Sequence, residues 1–256
     1  MKKGKKTCVI TGGSRGIGLA IARKFSSENY NVISIDIQKQ KDNLEIEQII
    51  VNINDRGKIK KTISRIIEKY SSIDVLVNNA AIVIPRNGFL DVSYDDWEET
   101  FSINLLGYIC MVKETLPYMI ENNFGNIIHI ASEAALMPNA ELPDYSILKS
   151  SVLSLSKLLA REFGNQGIRS NVVSPAFIDT AIFHEKGGLG DKLQKKYGTK
   201  TRQSAISQYI KEKKIPLDRL GTVNEVAQLV LFLSKEESNF INGANYIIDG
   251  GVTPFI

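Results

Sequence analysis

The sequence predicts an α/β fold, a doubly wound parallel sheet between two layers of helices (a three-layer αβα arrangement) in a single domain. Three observations point there. Short apolar runs alternate with segments of 3.6-residue periodicity from residue 6 to residue 163. A glycine-rich turn joins the first strand to the first helix. Ser132 stands at the carboxyl end of a strand, where such a sheet places its ligands.

At 256 residues the chain can bury one large core, and no linker, repeat or low-complexity tract divides it, so residues 1–256 read as one domain. Its net charge of +4 comes from dispersed lysines such as Lys2-Lys3, Lys195-Lys196 and Lys213-Lys214. A nucleic-acid binder would concentrate basic residues on one element, so no nucleic-acid partner is expected. No apolar run approaches the length of a membrane span, which argues against a membrane partner. The basic start is followed only by Cys8-Val9-Ile10 before a turn, too little for a secretory apolar core. Two cysteines and two histidines (His129 and His184) make neither a disulfide framework nor a structural zinc site. The expected compartment is the cytoplasm, and no metal is expected.

Residues 6–11 read as a buried strand and residues 17–25 as a helix. Between them lies Thr11-Gly12-Gly13-Ser14-Arg15-Gly16-Ile17-Gly18. Glycine permits the tight turn and lets backbone N–H groups approach an anion; the helix N-terminus then suits a pyrophosphate. Residues 31–36 form a second strand ending in Asp36, 18 residues after Gly18. A carboxylate there would accept the ribose hydroxyls of NAD and repel the extra phosphate of NADP. Arg15 argues the other way, since it could reach that phosphate. Residues 37–47 are polar, with room for at most a turn or two of helix. Residues 49–53 make the third strand, 58–70 a helix, and 73–77 the fourth strand, ending in Asn78-Asn79-Ala80-Ala81. Residues 97–120 read as a long helical stretch, or two helices meeting near Asn104, whose amide interrupts an apolar face and needs partners. Residues 126–131 form the fifth strand. His129 within it reads as a structural histidine.

Tyr145 and Lys149 open the helix that follows, with Ile147, Leu148, Val152, Leu155, Leu158, Leu159 and Phe163 on its apolar pattern. Positions i and i+4 share a helix face, so the phenol and the ammonium lie side by side. An adjacent positive charge favours phenolate, making Tyr145 a tuned acid/base.

Together these residues resemble the short-chain dehydrogenase/reductase family in its single-domain Rossmann form, from about residue 5 to residue 251. The resemblance is carried by residues 11–18, Asn-Asn-Ala-Ala at 78–81, Asn104, Ser132, Tyr145 with Lys149, Pro175-Ala176-Phe177-Ile178-Asp179-Thr180, Arg219-Leu220-Gly221 and Asp249-Gly250-Gly251. It implies hydride transfer between a nicotinamide and a carbon bearing oxygen. It makes Tyr145 the acid/base and gives Lys149 two tasks, lowering the tyrosine pKa and bonding the nicotinamide ribose. Ser132 would hold the substrate oxygen, and Asn104 would position a relay water. The coenzyme would meet Gly12, Ser14, Arg15, Gly16, Ile17, Gly18, Asp36, Asn52, Ile53, Asn79, Ala80, Tyr145, Lys149, Pro175, Ile178 and Thr180. Ala176 and Ala81 stand where the family usually has glycine, and Asn52 where an aspartate commonly meets the adenine amine. Within the family, the short 37–47 segment and Asn171-Val-Val-Ser-Pro are similar to dehydrogenases of cyclic dihydrodiols. The resemblance also implies a homotetramer.

Residues 182–214 are long, polar and rich in glycine and lysine, the character of a substrate lid. Their Lys192, Lys195, Lys196 and Lys200 are either simply solvated or attract an acidic substrate. The function expected is an NAD-dependent secondary-alcohol dehydrogenase or ketone reductase, acting on a small molecule. The alternatives are an NADPH-dependent 3-oxoacyl reductase and a non-catalytic dinucleotide sensor.

Overall fold

Continuous apolar runs become strands here because both faces of the sheet are covered. The computed structural model describes residues 4–40 and 46–254. Its strands are β1 (Thr7–Thr11), β2 (Asn31–Asp36), β3 (Glu47–Ile50), β4 (Val75–Asn78), β5 (Gly125–Ile130), β6 (Ile168–Pro175), β7 (Ile178–Asp179), β8 (Gly221–Thr222) and β9 (Asn245–Ile248). Seven of them form one parallel sheet in the order β3-β2-β1-β4-β5-β6-β9, and β7 pairs with β8 apart from it. Cys8, Val9 and Ile10 have no exposed surface, as a parallel strand between helix layers requires. Alternate side chains go to opposite faces. Cys8 and Ile10 pack with Ile21, Phe25 and Val230, while Val9 packs with Ile59, Ile63 and Met111.

The first layer is therefore α1 (Gly16–Ser27) and α8 (Val223–Ser234). The second is α2 (Arg56–Tyr70), α4 (Gly107–Glu121) and α5 (Pro143–Phe163). From β1 the chain winds outward to β2 and β3, then returns to β4 on the other side of β1. That reversal opens a crevice beyond the carboxyl ends of β1 and β4, the position where doubly wound sheets bind ligands.

Two sequence expectations shift, and a third resolves to one of its two alternatives. The third strand spans Glu47–Ile50 rather than 49–53, because Asp55 caps α2 through Lys58 N and a turn from Asn52 to Asp55 draws the chain out of the ladder. The 97–120 stretch is α3 (Tyr94–Phe101) and α4, joined by a π-helical turn over Ser102–Leu106 that contains Asn104. Helix α3 starts earlier than 97 because Ser93 and Asp96 form a reciprocal capping box. Residues 182–214 are largely helical, with α6 (Leu189–Tyr197) and α7 (Arg202–Glu212) packing together. Phe183, Leu193, Ala205 and Ile206 make a separate small core there. Of the 37–47 segment, residues 41–45 lie outside the described residues.

Candidate active site

The glycine turn sits where side chains could not. Gly12 and Gly16 have φ of 67° and 57°, and a Cβ on Gly12 would lie 2.8 Å from the Ala80 backbone. Asn79 braces the turn by donating from Nδ2 to the carbonyls of Thr11 (2.9 Å) and Gly12 (3.1 Å). Gly12, Arg15, Gly16, Ile17 and Gly18 form one end of a cleft of about 620 Å³. Asp36, Asn52 and Ile53 line it on one side and Asn79 and Ala80 at its floor; Ser132, Tyr145, Lys149, Pro175 and Thr180 stand further along. Two coenzyme candidates lie off this wall. Ile178 is buried against the α8 layer, and Ser14 donates its backbone N–H to Asp36 Oδ2 at 2.9 Å. The amide oxygen of Asn52 accepts from Asn54 N at 3.0 Å. Ala176, with a methyl in place of the family glycine, lines the cleft and donates its N–H to the Ile248 carbonyl.

This cleft fits a nicotinamide dinucleotide. Cβ-free backbone faces it at the helix N-terminus, and a half-buried carboxylate stands at the end of β2. The glycine turn and α1 would hold the pyrophosphate, Asp36 the adenosine ribose, and Lys149 the second ribose.

The chemical groups meet beyond β5. Ser132 follows that strand, and the first turn of α5 presents Tyr145 and Lys149, with Lys149 Nζ 5.6 Å from the centre of the Tyr145 ring. Lys149 is buried and donates to the Ile130 carbonyl (2.7 Å) and to the Tyr108 hydroxyl (3.1 Å). Burial lowers its pKa to about 7. The Tyr145 phenol is pushed up rather than down in the coenzyme-free chain, first by burial and then by the negative charge of Glu133, against a lowering hydrogen bond with Ser132. Ser132 Oγ donates to Glu133 Oε2 at 2.6 Å. Asn104 is buried outside the cleft wall with its amide given to Ile82: Oδ1 accepts from Ile82 N (2.9 Å) and Nδ2 donates to Ile82 O (2.8 Å). It fixes the loop after β4, and Ile82 itself lines the cleft.

Sequence reasoning missed three contributors. Tyr108 is a buried phenol four residues after Asn104 whose hydroxyl donates to Ile130 O at 3.2 Å while accepting from Lys149. Glu133, beside Ser132, accepts its hydroxyl proton. Arg86 ties the loop after β4 to α3 and to the start of α5, through Asp96 (2.9 Å) and Asp144 (3.3 Å), next to Tyr145. The i, i+4 spacing of Asn104 and Tyr108 was the available signal for Tyr108. His129 is structural as expected. It has no exposed surface, accepts at Nδ1 from Asn78 (3.3 Å), and its pKa is lowered to about 3 by burial, so it stays neutral. The lysines at 192, 195, 196 and 200 are exposed, line no part of the cleft, and Lys196 pairs with Glu212 at 2.9 Å.

The chain belongs to the short-chain dehydrogenase/reductase family, in its single-domain form: the family model described as Enoyl-(Acyl carrier protein) reductase matches residues 12–253. It is thus an oxidoreductase that uses a nicotinamide dinucleotide. Among its relatives, the 3-oxoacyl-[acyl-carrier-protein] reductase FabG of Thermotoga maritima is 34% identical over 96% of this chain and 97% of its own. Among solved structures, the ligand-free aldohexose dehydrogenase AldT of Thermoplasma acidophilum superposes with a TM-score of 0.88 at 30% identity, covering 99% of this chain and 97% of that one. ElxO with NADP bound gives 0.85 at 28% identity, covering 97% and 98%. No helix among the described residues is long and apolar enough to cross a membrane.

Proposed function

We propose that the protein transfers a hydride between NAD and a small secondary alcohol or ketone, with Tyr145 as the acid/base at the substrate oxygen. The observation that carries this reading is the meeting of Ser132, Tyr145 and Lys149 in the wall of one cleft that also contains the glycine turn. The nicotinamide supplies or accepts the hydride. Ser132 holds the substrate oxygen, and Tyr145 gives it a proton or takes one from it. Lys149, anchored by Ile130 and Tyr108, bonds the nicotinamide ribose and, when charged, stabilises the phenolate. Asn104 acts on the relay through Ile82. The concentration of acid/base groups disfavours the sensor reading. A catalytic domain with the helical pair over residues 182–214 as its substrate lid accounts for the whole chain. Ile147 and Leu158, exposed on α5, support a homotetramer, and Cys8 and Cys110, both free and buried, suit the reducing cytoplasm.

NAD is favoured because the Asp36 carboxylate would repel a phosphate on the ribose. NADPH-dependent reduction of a 3-oxoacyl substrate is the second reading. It is supported by Arg15, exposed at the cleft, by the FabG relative and by the NADP-bound neighbour. A panel of ketones and secondary alcohols, followed by nicotinamide absorbance with each coenzyme, tests both. A kcat/KM that favours NAD in the native protein and moves toward NADP in Asp36→Ala is the expected result. A native preference for NADP would make Arg15 the determinant and leave the second reading.

A further inference from the structure

Three β-branched side chains line the cleft and are left open to water: Val83 is 45% exposed, Ile84 40% and Ile182 46%. Their placement follows from the sheet order. Ser132 ends β5, which lies between β4 and β6, so the loop after β4 and the segment after β6 and β7 flank it. The first of these is held at both ends, at Ile82 by the Asn104 amide and at Arg86 by Asp144, the chain neighbour of Tyr145. Val83 and Ile84 lie between those anchors, at the acid/base end. On the other side Phe183 is buried in the small core of the helical pair, while Ile182 before it lines the cleft. Apolar groups gathered beside reacting groups, on side chains stiff at χ1, make a preformed wall for an apolar ligand.

The charged groups of the cleft point the same way. Among the described residues its only cationic lining side chains are Arg15, in the glycine turn, and Lys149, assigned to the nicotinamide ribose. Glu99 of α3 and Glu185, three residues after Ile182, also line it, and both are exposed. A carboxylate or phosphate on the substrate would meet repulsion there and find no free cation. A polyol would press hydroxyls against Val83, Ile84 and Ile182, which offer no hydrogen bond.

We propose that the substrate is an uncharged ketone or secondary alcohol with a hydrocarbon body, seated between Val83 and Ile84 on one side and Ile182 on the other. This deepens the proposed function and rests on its assignment of Ser132 and Tyr145 to the reacting oxygen. That oxygen is the one polar group the site receives from the substrate; the hydrocarbon lies against the three aliphatic side chains. Ile182 belongs to the segment that leads into the lid, so closure brings it onto the hydrocarbon and takes both out of water.

The test measures kcat/KM at saturating coenzyme for butan-2-one, pentan-2-one, hexan-2-one and 4-oxopentanoate, which carries a carboxylate in place of the terminal ethyl group of hexan-2-one. Native protein is compared with the double variant Val83→Thr, Ile182→Thr. Each comparison is a ratio taken on one protein, so any loss of folded fraction cancels, and both positions are exposed enough to accept the change. In native protein each added CH₂ should raise kcat/KM about fourfold, the ratio that burial of one methylene implies. Hexan-2-one should exceed 4-oxopentanoate by about tenfold or more. In the double variant the gain per CH₂ should fall below about twofold. Turnover with no gain along the series, a gain that the double variant keeps in full, or better turnover of 4-oxopentanoate overturns the proposal and leaves the hydride-transfer reading standing. Turnover of none of these ketones, nor of the matching alcohols, with either coenzyme overturns both.

Discussion

Lys149 is buried with two oxygen partners and no carboxylate, and that combination sets what it can do. Burial alone favours the neutral amine, while the Tyr108 hydroxyl and the Ile130 carbonyl are acceptors that favour the ammonium. Removing the phenol with Tyr108→Phe leaves burial less opposed, so the pKa of Lys149 should fall below its value of about 7. The linkage has a definite sign. A lysine whose folded pKa is depressed makes stability rise with pH, beginning at the folded value and ending near the ordinary lysine value of about 10.4. Unfolding by denaturant at a series of pH values should therefore show that rise starting at lower pH in Tyr108→Phe than in native protein. The variant should also lose about 1–3 kcal/mol where the ammonium is present, for a missing hydrogen bond to a charged group. Identical pH profiles would remove Tyr108 from the site. Tyr145, Lys149, Ser132 and Asp36 were all legible in the sequence because spacing on a helix or position at a strand end announces them. Tyr108 was not, because its role comes from a contact across elements: it reaches Lys149 41 residues away.

At the scale of elements, the strand–helix alternation was readable to within a few residues because buried parallel strands leave unbroken apolar runs. What periodicity could not show is how helices end or join. The π-turn over Ser102–Leu106 lets Asn104 leave the apolar register and face Ile82; the amide in an apolar face marks the break, but a 3.6-residue pattern does not show its π geometry. The 182–214 segment carries helix-like residues through Tyr209, but its short amphipathic faces hide where the helices begin and end. Its helices are held by a local core around Phe183 and Leu193, with Arg202 bonded to Asp191 and to the His184 carbonyl. A lid made of a packed helical pair should move as a unit. Hydrogen exchange is expected to slow at the flanking residues 180–188 and 213–218 when coenzyme and substrate bind together, with smaller changes inside α6 and α7. Equal exchange in the free and ternary states would contradict a lid.

For the whole molecule, the fold separates two tasks. The β1–α1 turn and Asp36 make a coenzyme end, and the termini of β5 and α5 make a chemical end, within one cleft beyond the sheet. The central claim, that Tyr145 moves the proton, can therefore be isolated by a change confined to the second end. Tyr145→Phe keeps the ring and its packing beside Lys149 and deletes the one oxygen assigned to proton transfer. The decisive measurement is the kcat of this variant together with its dissociation constant for NAD. The account predicts a kcat lower by about 10²–10⁴-fold, the usual cost of a lost acid/base, with a dissociation constant and melting temperature near the native ones. Near-native turnover by a folded, coenzyme-binding Tyr145→Phe would contradict it.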